Sequence, residues 1–123
     1  MITGDERRPG GERPPSDSSD AWLTIDRDDV ITDDGFGFVT NAIVDQHFVR
    51  RKRHNRLVSL VLERPQRLGV GIDESTALVI GPDAMWRVLG ASVVIVYDAR
   101  KSRVTVEPRK LGAANIVMHV LPA

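Results

Sequence analysis

The segment SVVIVYD, residues 92–98, constrains the fold more than any other, because it is apolar without interruption between Ser92 and Asp98. A strand with one wet face alternates apolar and polar residues; a run like this one reads as a strand buried on both faces. Shorter runs of the same kind stand at 42–44, within FVTNAIVDQHF, and at LGVGID (68–73) and TALVI (76–80). RVTVEP and NIVMHVLP add strand candidates nearer the C-terminus. A single helix is predicted at RLVSLVLER (56–64), with Asn55 as its N-cap and Pro65 as its stop. Strand, helix, then several strands describes a mixed α/β sheet. One helix cannot cover both faces of such a sheet, so part of the fold is expected to be missing from this chain.

The N-terminal residues 1–20 are almost devoid of apolar side chains and rich in Pro, Gly, Ser and charge. They are expected to form a flexible loop or linker, with the structured part at 21–123 beginning in a short alternating strand, AWLTID, at 21–26. Nothing at this end has the apolar core of a signal peptide, and no run approaches a membrane span. That leaves the cytoplasm as the expected location of the chain as it stands. A periplasmic or secreted parent would need a signal upstream. The 17 basic and 17 acidic residues cancel, so net charge argues for neither nucleic acid nor membrane as partner. Without cysteine, disulfides and thiolate metal sites are excluded.

Three clusters could carry chemistry. Asp45-Gln46-His47-Phe48 ends a buried strand, where catalytic groups gather in α/β sheets, and histidine is the usual general base near neutral pH. The bland alternative is a histidine satisfied by backbone. The turn 71–76, GIDEST, holds adjacent carboxylates Asp73 and Glu74, either of which could orient a histidine or merely cap a solvated turn. The run RRKRHNR, 50–56, places cations at the helix N-terminus, the electrostatically wrong end. It reads either as a solvated basic loop or as a grip on an anionic ligand such as a carboxylate. No G-x-S-x-G elbow, phosphate-binding loop, H-E-x-x-H or Cys/His metal spacing occurs, so a base and an orienter are offered without a nucleophile, and no metal or cofactor is expected.

Residues 35–102, through DQHF, the following R-x-R-x-x-R and G-I-D-E-x-T-A, resemble the second half of the cyanophycinase-type serine peptidases. The closing HVLPA is similar to the last strand of that family, and the opening MITG to a segment shortly after its nucleophilic serine. The resemblance implies a class I glutamine amidotransferase-like three-layer α/β/α fold, of which this chain would be only the C-terminal part. It implies a Ser-His-Glu triad in which His47 is the base and Glu74 its orienting acid. Asp45 and Gln46 would shape the pocket, while Arg51, Arg53 and Arg56 would hold a β-aspartyl-arginine substrate. The serine and its oxyanion hole would lie before Met1.

The leading expectation is therefore a serine-type peptidase fragment whose complete form hydrolyses cyanophycin or related isopeptides. The alternatives are a non-catalytic truncated product and an interaction module that completes a separate serine-bearing chain, with a homodimer or the missing half as partner. Nucleic-acid binding through the basic run is disfavoured: the run is short and no aromatic residue is interleaved with it.

Overall fold

The computed structural model describes residues 25–27, 30, 32–108 and 110–123. The flexible segment expected at 1–20 lies outside these residues, as do the MITG segment and residues 21–24 of the first strand candidate. The end of that candidate forms no strand; Asp26 makes a single antiparallel bridge to Lys110.

The remaining strand expectations materialise as β1 (Ala42–Gln46), β2 (Leu68–Ile72), β3 (Thr76–Ile80), β5 (Val93–Asp98), β6 (Arg103–Val106) and β8 (Val117–Pro122). Two further strands, β4 (Trp86–Gly90) and β7 (Leu111–Ala114), are the return arms of hairpins with β3 and β6. The central sheet has the order β1-β2-β5-β8. Its first pair is parallel and joined through helix α1 (His54–Glu63); the other pairs are antiparallel. The fold is mixed α/β, with one helix among the described residues.

Strand alternation divides the core into two layers. On one face Ile43, Ile95 and Tyr97 pack with Phe48 and with Leu57, Leu60 and Val61 of α1. On the other, Ala42, Val70, Val94 and Val96 are covered by Leu78, Trp86 and Val88 of the β3–β4 hairpin. One helix does not cover both faces, as expected, but the second face is not left bare by the lack of another. A two-stranded hairpin covers it, because Trp86 and Val88 alternate inward along β4. The β5 run is accordingly buried on both sides, with Val94, Ile95, Val96 and Tyr97 all in the core.

On the helix face β2 presents only Gly69 and Gly71. A Cβ at Gly71 would lie 2.3 Å from the Phe48 ring, and one at Gly69 2.4 Å from Val61. The two glycines thus let the helix and Phe48 sit directly on the backbone of β2. That contact anchors the residue next to His47.

Helix α1 begins earlier than its sequence signals suggest. Arg53 occupies the N-cap position without a side-chain cap, and Asn55 lies inside the first turn, its carbonyl accepting a hydrogen bond from Ser59 Oγ. The physical reason is the path of the backbone into the helix. The chain leaves β1 through successive turns, in which Arg51 N–H donates to His47 O, Lys52 N–H to Val49 O and Arg53 N–H to Phe48 O, and these wind directly into the helix.

Candidate active site

Parallel pairing of β1 with β2 sets Asp45 beside Gly71 and Gln46 beside Ile72. The residues that follow each strand, His47 on one side and Asp73-Glu74 on the other, therefore emerge side by side at one edge of the sheet. This is the strand-end location at which α/β sheets bind their ligands. His47 takes a left-handed backbone conformation, φ 52°, uncommon for a residue other than glycine. Its turn aims the imidazole at Glu74, and Nδ1 stands 3.4 Å from Glu74 Oε1. Nδ1 is buried and lies within ion-pair reach of Glu74 without completing a hydrogen bond, although the side chain as a whole is 43% exposed. Glu74 also meets Arg50 Nε at 3.1 Å and Arg51 Nε at 3.7 Å.

Behind this pair lies a buried one. Asp45 points to the helix face and accepts a forked pair of hydrogen bonds from Arg56, one from Nε at 2.7 Å and one from Nη2. Both side chains are 1% exposed. Arg53 Nη1 donates to Gln46 O at 2.8 Å and approaches Asp45 Oδ1 at 3.5 Å. Burial pushes the Asp45 carboxyl up to about 7, against the pull of Arg53 and the hydrogen bond from Gln46 N–H. Burial likewise brings Arg56 down to about 10, which leaves it cationic at neutral pH.

These contacts redistribute the roles expected of the basic run. The charge at the helix N-terminus is answered in large part by the chain's own carboxylates, Asp45 for Arg53 and Arg56, Glu74 for Arg50 and Arg51. Arg56, expected on the substrate, is instead buried as the support of Asp45. Arg51 and Gln46 are exposed at the strand ends, and Arg53 is only 13% exposed. Arg50, absent from the expected set, stands nearest Glu74 of the run's arginines. Asp73 does not face His47; its carboxylate holds backbone and Ser92, a link that neither residue signals in the sequence. Among the described residues no group of three or more His, Cys, Asp or Glu is placed to hold a metal ion.

His54, the first residue of α1, packs edge-on to Phe48 with ring centres 4.6 Å apart, and its Nδ1 is 2.8 Å from Tyr97 Oη. Burial lowers its pKa from the ordinary 6.5 and raises that of the Tyr97 phenol. Below pH 6.5 the unfolded chain binds a proton at His54 that the native chain resists. The stabilisation is thus complete above that pH and is lost as pH falls through the lower folded value. Asp45, raised in the native state, has the opposite slope between 3.8 and about 7. The measurement that isolates His54 is a difference. The stability advantage of wild type over His54→Gln, from urea unfolding at a series of pH values, should shrink on acidification. A constant difference would show that His54 titrates alike in both states.

A histidine and a carboxylate paired at adjacent parallel strand ends of an α/β sheet, backed by a buried Asp–Arg pair, form an arrangement suited to proton transfer at a bound substrate. No family model matches the chain. The cyanophycinases of Trichormus variabilis and of Nostoc sp. are each 40% identical to it over 92 residues, 71% of this chain and 31% of the relative. The cyanophycinase of Geminocystis herdmanii is 36% identical over 92 residues, 71% of this chain and 34% of its own. The matches support cyanophycinase-family membership for the matched stretch, and the chain spans about a third of the length of the curated relatives it matches.

Proposed function

We propose that this chain carries the base and the acid of a serine-type peptidase site that acts on cyanophycin or related β-aspartyl-arginine isopeptides. The observation that supports the reading is the meeting of His47 and Glu74 at the strand ends. With Nδ1 turned to a carboxylate, the favoured neutral tautomer holds its proton there and leaves the Nε2 lone pair free to act as base. Nε2 takes the proton of a serine hydroxyl as the oxygen attacks the substrate carbonyl. The imidazolium returns that proton to the leaving amine, and water repeats the sequence on the acyl intermediate. Glu74 stabilises the imidazolium. Arg51 and Arg53 hold substrate carboxylates, and Gln46, with Asp45 behind it, shapes the pocket floor.

The nucleophile comes from outside this chain, in a complete α/β/α domain of the glutamine amidotransferase-like kind. No serine lies on the path from β1 into α1; Ser59, Ser92 and Ser102 have their hydroxyls on Asn55 O, Asp73 and Asn115 O, and Ser75, the remaining described serine, follows Glu74 in the turn at φ 53° and lies in no G-x-S-x-G elbow. The test is an exchange of parts. The matched segment, grafted into the Nostoc cyanophycinase in place of its own, should support turnover of cyanophycin. The 123-residue chain alone should show neither turnover nor labelling by a fluorophosphonate probe. A folded but inactive graft, or a labelled and active isolated chain, would refute the assignment.

A further inference from the structure

The loop that carries His47 has no regular structure of its own, yet its three following amides are all held by the end of β2. Phe48 N–H donates to Ile72 O at 3.2 Å. Val49 N–H and Arg50 N–H both donate to Asp73 Oδ1, each at 3.0 Å. These last two bonds join residues 24 and 23 positions apart, so they are no local turn of the kind aspartate makes with its own neighbours. The other carboxylate oxygen, Oδ2, accepts Ser92 Oγ at 2.6 Å. Ser92 N–H in turn donates to Thr76 Oγ1 at 3.1 Å, and that hydroxyl donates to Glu74 O at 3.0 Å. Asp73 N–H donates to Val93 O at 3.3 Å.

One side chain therefore ties three segments together: the loop after β1, the turn after β2 and the start of β5. The first bears His47 and the second bears Glu74. Burial opposes the charge on Asp73, but the hydrogen bonds from Ser92, Arg50, Glu74 and Val49 outweigh it and hold the pKa below its ordinary value, so the clamp is a carboxylate at neutral pH. The strained backbone at His47, φ 52°, needs surroundings that impose it, and the paired amide bonds to Asp73 do so from the adjoining residues.

We propose that Asp73 is a positioning residue of the hydrolytic site: its carboxylate fixes the His47 loop against the Glu74 turn and so sets the separation of base and acid. The inference rests on the reading of His47 and Glu74 as the base and acid of a hydrolase. Asp73 touches neither substrate nor the imidazole, and acts through the backbone that carries them.

The test compares Asp73→Ala with Asp73→Asn. Asparagine keeps an oxygen for the two amides and offers an N–H to Ser92 Oγ, whereas alanine removes all three bonds. In the 123-residue chain, hydrogen exchange followed by mass spectrometry should show the peptide over 47–53 exchanging about tenfold faster, or more, in Asp73→Ala, with the α1 and β5 peptides unchanged and Asp73→Asn close to wild type. In the graft, Asp73→Ala should lower kcat by about a hundredfold with KM little altered, since a displacement of about an ångström between reacting groups has that effect, and Asp73→Asn should recover most of it. Faster exchange spread equally over α1 and β5 would mean that Asp73 supports the fold at large, and would overturn the proposal. So would an unchanged kcat, or an asparagine variant as impaired as the alanine. Failure of the underlying reading looks different: His47→Ala would keep its turnover in the graft, while the exchange pattern would still report whether Asp73 holds the loop.

Discussion

Replacing His47 in the active graft is expected to abolish turnover almost completely, while Glu74→Gln leaves a slow but measurable rate. The two residues meet at 3.4 Å but stand differently to the reaction. His47 moves the proton itself, and loss of the base from a serine triad costs about 10⁶ in kcat. Glu74 only orients and stabilises the imidazolium, a role whose loss costs about 10⁴. It is also partly exposed and shared with Arg50 and Arg51, so part of its charge is already answered by other cations, and the loss should be no larger than that. Because His47 sits at φ 52°, His47→Ala combines chemistry with backbone strain. His47→Asn is the cleaner variant, as asparagine tolerates that conformation and cannot serve as the base. Steady-state kinetics of the three variants, with circular dichroism as the control for folding, make the measurement. Full activity in folded His47→Asn would end the assignment.

The second large effect is on stability. Asp45→Ala removes the carboxylate onto which Arg56 forks, in a place where both side chains are 1% exposed. Breaking a buried pair from one side costs about 3–5 kcal/mol, and the full loss is expected above pH 7, where the Asp45 carboxyl, raised to about 7, is ionised. The double replacement Asp45→Ala with Arg56→Met should cost less than Asp45→Ala alone, because it removes both buried charges together. Urea unfolding of the three variants checks both statements. A loss below about 1 kcal/mol for Asp45→Ala would show that the guanidinium finds water or another acceptor. The pair links β1 to α1 directly behind His47, so its loss should loosen the site as well as the fold.

The strands most plainly legible in the sequence are those whose runs are apolar throughout. Residues 42–44, 68–72 and 93–96 pack on both faces, and an uninterrupted run needs no partner to be recognised. The return strands β4 and β7 were not legible. WRVLG and LGAA carry Gly and Ala, which favour strands weakly, and they become strands only by pairing with β3 and β6. The helix was visible from Asn55 and Pro65 at its two ends, but Asn55 misplaced its start. The side-chain preference that favours Asn55 as a cap is worth about 1 kcal/mol, and it is set against three successive backbone hydrogen bonds that wind the chain in from His47.

For the site, the residue types and their order along the chain were enough to mark DQHF, the acidic turn and the basic run as places where chemistry gathers, because imidazole, carboxylate and guanidinium are scarce functional groups and their clustering is local. The local chain could not say which carboxylate faces the histidine, that Arg56 turns inward to Asp45, or that Ser92 joins from 19 residues away. Those were decided by the parallel register of β1 on β2 and the antiparallel register of β5 on β2. Pairing and register set the turn after β2 against the loop after β1, and in that turn Asp73 meets the loop backbone while Glu74 meets the imidazole.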